Sequence, residues 1–184
     1  MLTLIIETST EKGCLILAEG GVPIASKTLP SGAALSKCLA LEVQNLLNGR
    51  IPERIAVGTG PGSYTGIRVG AALAKALAYG WKIPLIGFCS LKAFGPLPVL
   101  VDARMGGFYA LLDQDPLLLS PASPLLQNLP SISSPHPELI QKRLAGTSIY
   151  RETEPDPKSL TELVYRQFLE EKEASLKLTY LGSP

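Results

Sequence analysis

The sequence predicts an α/β fold assembled from a duplicated β-β-β-α-β-α unit, with the second copy reduced. Three observations carry that expectation. Short apolar runs of strand type are interleaved with stretches of helical period. An apolar run closed by an acid occurs twice, as Leu4-Ile5-Ile6-Glu7 and as Val99-Leu100-Val101-Asp102. Each is followed across a turn by another apolar run, Cys14-Leu15-Ile16-Leu17 in one case and Phe108-Tyr109-Ala110-Leu111-Leu112 in the other.

In the first unit, Leu2 to Ile6, Cys14 to Ala18 and Val22 to Thr28 read as an antiparallel meander, because polar and glycine-containing turns (Glu11-Lys12-Gly13, Glu19-Gly20-Gly21) separate them. From Ala34 to Asn48 the period changes, and Leu35, Leu39, Val43, Leu46 and Leu47 fall on one helical face. A strand Arg54 to Gly58, a helix from about Gly66 to Gly80 and a strand Pro84 to Phe88 complete the unit. Pro96-Leu97-Pro98 then punctuates the chain and the pattern restarts. The second unit offers helical patterns near Pro137 to Leu144 and Ser159 to Glu171, the latter with Ser159 and Glu162 spaced as a capping box. The Ser/Pro-rich stretch from Ser120 to Pro137 is expected to be irregular and exposed. Glu7 and Asp102 become equivalent strand-end acids, and the plan as a whole is that of the actin-like, or ribonuclease H-like, superfamily. Fold alone decides no activity.

Gly58-Thr59-Gly60-Pro61-Gly62-Ser63-Tyr64-Thr65-Gly66-Ile67-Arg68 lies where a strand ends and a helix begins, a place suited to anions. Yet Ile67-Arg68 follows the last glycine where a Walker loop requires Gly-Lys-Ser/Thr, and the third glycine of a dinucleotide fingerprint is Ser63. A tight turn with close packing of helix on strand, Thr65 capping the helix, accounts for the glycines better than phosphate contact does. In the following helix Gly66, Val69, Gly70, Leu73 and Leu77 share one face, while Arg68, Ala71, Ala72, Lys75, Ala78 and Tyr79 share the other. So few polar positions suit a helix covered on both sides. The preceding helix carries a second stripe of Ala34, Cys38 and Leu41, ending at Asn45. These two outer faces form a candidate docking surface for another helix pair.

Composition bounds the rest. Of 184 residues 46% are hydrophobic, which excludes disorder of the whole chain and allows one sizeable core or two small ones. Seventeen basic residues against sixteen acidic ones leave a formal charge of +1, far from the excess needed to hold a phosphate backbone. Cys14, Cys38 and Cys89 are odd in number and set in apolar surroundings, as for reduced thiols. No secretory leader or spanning run is read, so the expected location is the cytoplasm.

The run Gly60-Pro61-Gly62-Ser63-Tyr64-Thr65-Gly66-Ile67-Arg68-Val69-Gly70 closely resembles the hallmark of the bacterial TsaB (YeaZ) family. Glu7-Thr8-Ser9, Pro84-Leu85-Ile86-Gly87 leading to Ser90-Leu91, Asp102-Ala103-Arg104-Met105-Gly106 and Tyr180-Leu181 match in order. The resemblance is dense through about Tyr109 and thin afterwards. It implies an actin-like lobe over 1–97 that carries the partner-binding helices, and a reduced lobe over 98–184 whose last segment packs back on the first. It further implies a non-catalytic part in making threonylcarbamoyladenosine beside the anticodon of tRNAs reading codons that begin with adenosine. In that family's system the homologue TsaD transfers the group, TsaB binds TsaD through the two helices of the first lobe, and the ATPase TsaE joins. Alone the protein would form a homodimer, would meet tRNA only indirectly, and would need no cofactor.

Some positions depart from the family pattern. Leu35-Ser36 stands where histidine often precedes the serine, Gly107 where an acid often follows Met-Gly, and Gly182 where an arginine ends Tyr-Leu-Arg. The residues also bear on two catalytic alternatives. An actin-fold phosphotransferase or ATPase would use Glu7 and Asp102 to orient magnesium and water. A metallopeptidase or TsaD-like metal site needs a histidine pair, and the chain has one histidine, His136, expected to be an exposed loop residue between Pro135 and Pro137.

Overall fold

The computed structural model describes residues 1–144, 148–170 and 176–179. β1 (Leu2–Glu7), β2 (Cys14–Glu19) and β3 (Val22–Thr28) form the antiparallel meander, with Ile5 opposite Ile16. β4 (Arg54–Gly58) then pairs parallel with β1, and β5 (Leu85–Phe88) parallel with β4, giving the order β3-β2-β1-β4-β5. The crossovers are α1 (Ala33–Leu47) and α2 (Tyr64–Trp81). β1 and β4 read as unbroken apolar runs because both faces of the sheet are covered. Leu4, Ile6, Ile55 and Val57 join the side chains of α1 and α2, while Ile5, Ala56, Ile86 and Phe88 face the other way.

The second lobe repeats this topology. β6 (Val99–Asp102), β7 (Phe108–Leu111), β8 (Pro116–Leu119), β9 (Ser131–Ser134) and β10 (Ile149–Glu152) stand in the order β10-β9-β6-β7-β8, strand for strand the plan of the first sheet. Glu7 and Asp102 therefore end equivalent central strands. Reduction falls on the crossovers: where α1 follows β3, only a single 3-10 turn, Pro124–Leu126, follows β8, and α2 has a five-residue counterpart in α3 (Pro137–Gln141).

Two local expectations are corrected. The stretch from Ser120 to Pro137 is neither wholly irregular nor exposed, since β9 lies inside it with Ile132, Ser133 and Ser134 buried between β6 and β10. Serines are small enough for a central strand whose backbone is paired, and they hide it from a hydrophobicity reading. The last helix, α4 (Pro157–Glu170), is not opened by Ser159 and Glu162. Asp156 accepts from the Ser159 amide at 2.8 Å and Pro157 occupies the first helical position.

The lobes share a core. Ile5, Ile16 and Phe88 of the first sheet, Val99, Val101 and Leu111 of the second, Leu91 and Phe94 of a 3-10 turn (Ser90–Phe94), and Leu160 and Val164 of α4 belong to one buried cluster. α4 lies on β2 and β3, where Arg54 fixes it. Arg54 Nε donates to Thr3 Oγ1 at 2.8 Å, and the guanidinium sits 4.3 Å from the Phe168 ring centroid and 5.4 Å from that of Tyr165.

Candidate functional site

The glycine loop leaves the end of β4 and enters α2, as its composition predicts, but Ser63 and not Thr65 caps the helix. Ser63 is the last non-helical residue, and its Oγ accepts from the Gly66 amide at 3.2 Å, whereas Thr65 is already inside the first turn. The end of β1 packs against the loop and that turn. The Ser63 amide donates to the Ser9 carbonyl at 2.6 Å, and the Thr8 hydroxyl donates to the Gly66 carbonyl at 2.8 Å. A Cβ on Gly62 would stand 2.4 Å from Ser9 O, one on Gly66 2.0 Å from Thr8 O, and one on Gly70 2.3 Å from Thr8 Oγ1. The glycines thus let the end of β1 lie directly against α2.

Glu7 is fully buried at the bottom of this seat. Its Oε1 accepts from the Ser9 amide at 2.6 Å, while Oε2 lies against Gly58 and the Ser90 side chain without a well-directed hydrogen bond. Ser90 is tied to the loop in both directions, its Oγ accepting from Gly60 N at 3.0 Å and its amide donating to Gly60 O at 2.9 Å. Burial pushes the Glu7 carboxyl above its ordinary value, and the Ser9 amide with the nearby Ser9 and Ser90 hydroxyls offset that only in part. The equivalent acid, Asp102, is ion-paired with Arg143, which also donates to Gly107 O at 3.3 Å and stacks 5.1 Å from the Phe108 ring centroid. An enclosed carboxyl and a neutralised one do not fit a shared magnesium ion. Among the described residues, no three His, Cys, Asp or Glu side chains converge as metal ligands.

His136 is a loop residue as expected, but half-buried rather than exposed. It precedes α3 at the junction of the lobes, with Nδ1 3.7 Å from Glu138 Oε1 and a buried Nε2 3.6 Å from Glu11 Oε2 of the β1–β2 turn. Lys12 of the same turn pairs with Glu152 and, at 3.3 Å, with Glu154.

The helix pair lies on the far side of the first sheet. On α1 the stripe Ala34, Cys38, Leu41 and Asn45 faces outward, Leu41 being 57% exposed and Cys38 half-buried. On α2 the predicted faces are rotated. Gly66, Gly70, Ala71, Ala74 and Ala78 are buried, with Ala71 3% and Ala78 8% exposed, so these two alanines are not on an outer face. Close approach to Thr8 and the sheet selects the small side chains and leaves Leu73 and Leu77 half-buried on the flank. Arg68, Ala72, Lys75 and Tyr79 do face outward, Tyr79 at 89% exposure, and Arg68 stacks 3.9 Å from the Tyr64 ring centroid. Between the helices runs an apolar groove of about 350 Å³, lined by Ala40, Val43, Leu47, Leu73, Leu77 and Trp81, with Gln44, Arg50 and Ile51 at its edge. The sequence reading missed this groove. Its signal was Trp81, the single tryptophan, at the end of an amphipathic helix. The terminal positions Tyr180, Leu181 and Gly182 lie outside the described residues.

Two sheets of one topology, joined through a common core with acids at matching strand ends, define an actin-like (ribonuclease H-like) protein. A Pseudomonas aeruginosa protein described as similar to peptidase YeaZ has the same fold, with a TM-score of 0.77 at 20% identity over 98% of this chain and 99% of its own. The family model of TsaD, tRNA N6-adenosine threonylcarbamoyltransferase, matches residues 47–117. The tRNA threonylcarbamoyladenosine biosynthesis protein TsaB of Haemophilus influenzae is 31% identical over 120 residues, 58% of this chain and 51% of that one. TsaB of Bacillus subtilis is 41% identical over 69 residues, 33% of this chain and 30% of its own. The chain thus spans about half the length of the first relative and under a third of the second. Over these stretches the chain is similar to TsaB (YeaZ) proteins.

Proposed function

We propose that this chain is a non-catalytic subunit of tRNA threonylcarbamoyladenosine biosynthesis that docks a TsaD-type transferase on the α1–α2 face, with a TsaE-type ATPase joining the pair. The observation that carries the reading is the groove between the helices. It is apolar, open, and bordered by the outward stripes of both helices, the form a partner's helix pair fits. Support also comes from the acids, since the enclosure of Glu7 and the pairing of Asp102 leave no carboxylate pair to orient a metal-bound nucleotide.

The test is capture of the TsaD homologue from the same source, followed by tRNA modification in vitro with and without this chain. Ala40→Glu places a charge in the groove at an exposed position, and is expected to weaken capture at least tenfold while leaving the circular dichroism unchanged. Undiminished capture by that variant, or modification that proceeds equally without the chain, would defeat the proposal.

A further inference from the structure

Docking through a groove between two helices requires each helix to be held at one height and tilt. For α1 the buried leucine face suffices, but the buried face of α2 is glycine and alanine apart from Ile67, with Leu73 and Leu77 only half-buried on its flank, so fewer large side chains interlock there. We propose that Thr8 is the positioning residue for the docking face, setting the pose of α2 from the end of β1. This rests on the docking reading above.

Thr8 meets α2 at two successive turns. Its hydroxyl donates to Gly66 O at 2.8 Å, and the same oxygen is what a Cβ on Gly70 would strike at 2.3 Å. Its carbonyl lies where a Cβ on Gly66 would come within 2.0 Å. Ser9 adds the 2.6 Å hydrogen bond from Ser63 N. This seat does not yield easily. On one side Glu7 is anchored through Ser9, and on the other the turn is held to the second lobe by Lys12 with Glu152 and Glu154. α2 is a stiff rod of 18 residues, about 27 Å long at 1.5 Å per residue, so a tilt of about 4° at its first turn moves Trp81 by ~2 Å. Trp81 lines the groove, and a shift of that size changes the shape offered to a partner.

Trp81 is also the chain's single tryptophan and reports the pose directly. Thr8→Val removes the hydroxyl at nearly constant volume, and Gly70→Ala places a methyl against it. Each is expected to shift the Trp81 emission maximum and its iodide quenching in the isolated protein, and to weaken binding to the TsaD homologue tenfold or more. Thr8→Ser, which keeps the hydroxyl, should hold emission and affinity at wild-type values. Wild-type emission and affinity in Gly70→Ala and in Thr8→Val, with Ala40→Glu still abolishing capture, would overturn the inference. If Ala40→Glu binds normally it is the docking reading that fails, and the Trp81 emission of the two variants still decides whether Thr8 positions α2.

Discussion

Glu7 shows how much a single buried carboxyl constrains a chain. Its ordinary value of 4.5 is raised in the fold by burial, so as pH climbs the unfolded chain releases this proton first. The stability it contributes is complete below about 4.5 and declines as pH rises through the folded value. Glu7→Gln keeps an acceptor for the Ser9 amide and turns an amide toward Ser90, without the charge. Urea midpoints should therefore show wild type losing ground against Glu7→Gln between pH 4.5 and 7. A constant difference across that range would mean that the folded carboxyl keeps its ordinary value. Cys14, facing Glu7 in the register of β1 and β2, is affected in the same direction, its thiol pushed up by burial and by the neighbouring acid.

At the scale of elements, α2 separates what a periodicity reading can and cannot reach. Its existence and span follow from the pattern, but a hydrophobicity wheel turns Val69, Leu73 and Leu77 inward, and the fold turns in Ala71, Ala74 and Ala78. Proximity to the strand end at Thr8, a contact across distant sequence, selects the small face, and no local window contains that information. The consequence is measurable. Ala71→Glu buries a carboxylate and should cost about 3 kcal/mol or more in urea denaturation, while Ala72→Glu, on the exposed side, should change stability by about 0.5 kcal/mol or less. Equal effects would return the helix to its predicted orientation. The first lobe was legible almost residue for residue because its strands are continuous apolar runs and its helices are long. In the second lobe, β8 begins with Pro116, β9 is Ser-Ile-Ser-Ser and β10 is exposed at Ile149, so their pairing rests on backbone hydrogen bonds that composition does not display. Of the candidate site, the outward stripe of α1 could be read directly. The groove could not, because its walls come from two helices whose separation is set by the sheet beneath.

For the whole molecule the shared core decides behaviour. Phe94, fully buried, belongs to the cluster that holds Phe88 of the first sheet and Val99 of the second. Phe94→Ala should cost about 3–5 kcal/mol and lower both lobes together. Trp81 fluorescence, for the first lobe, and amide exchange in β6 and β9, for the second, should then give the same free energy of unfolding. Exchange in β9 that stays at wild-type protection while Trp81 unfolds would show the lobes to be independent. The placement of α4 on β2 and β3 bears on biosynthesis as well. A nascent chain emerging from the ribosome displays Arg54, Ile5 and Ile16 long before Leu160, Val164 and Phe168 have been polymerised to cover them. The lobe made first is finished last, and during that interval its sheet is a natural client surface for chaperones.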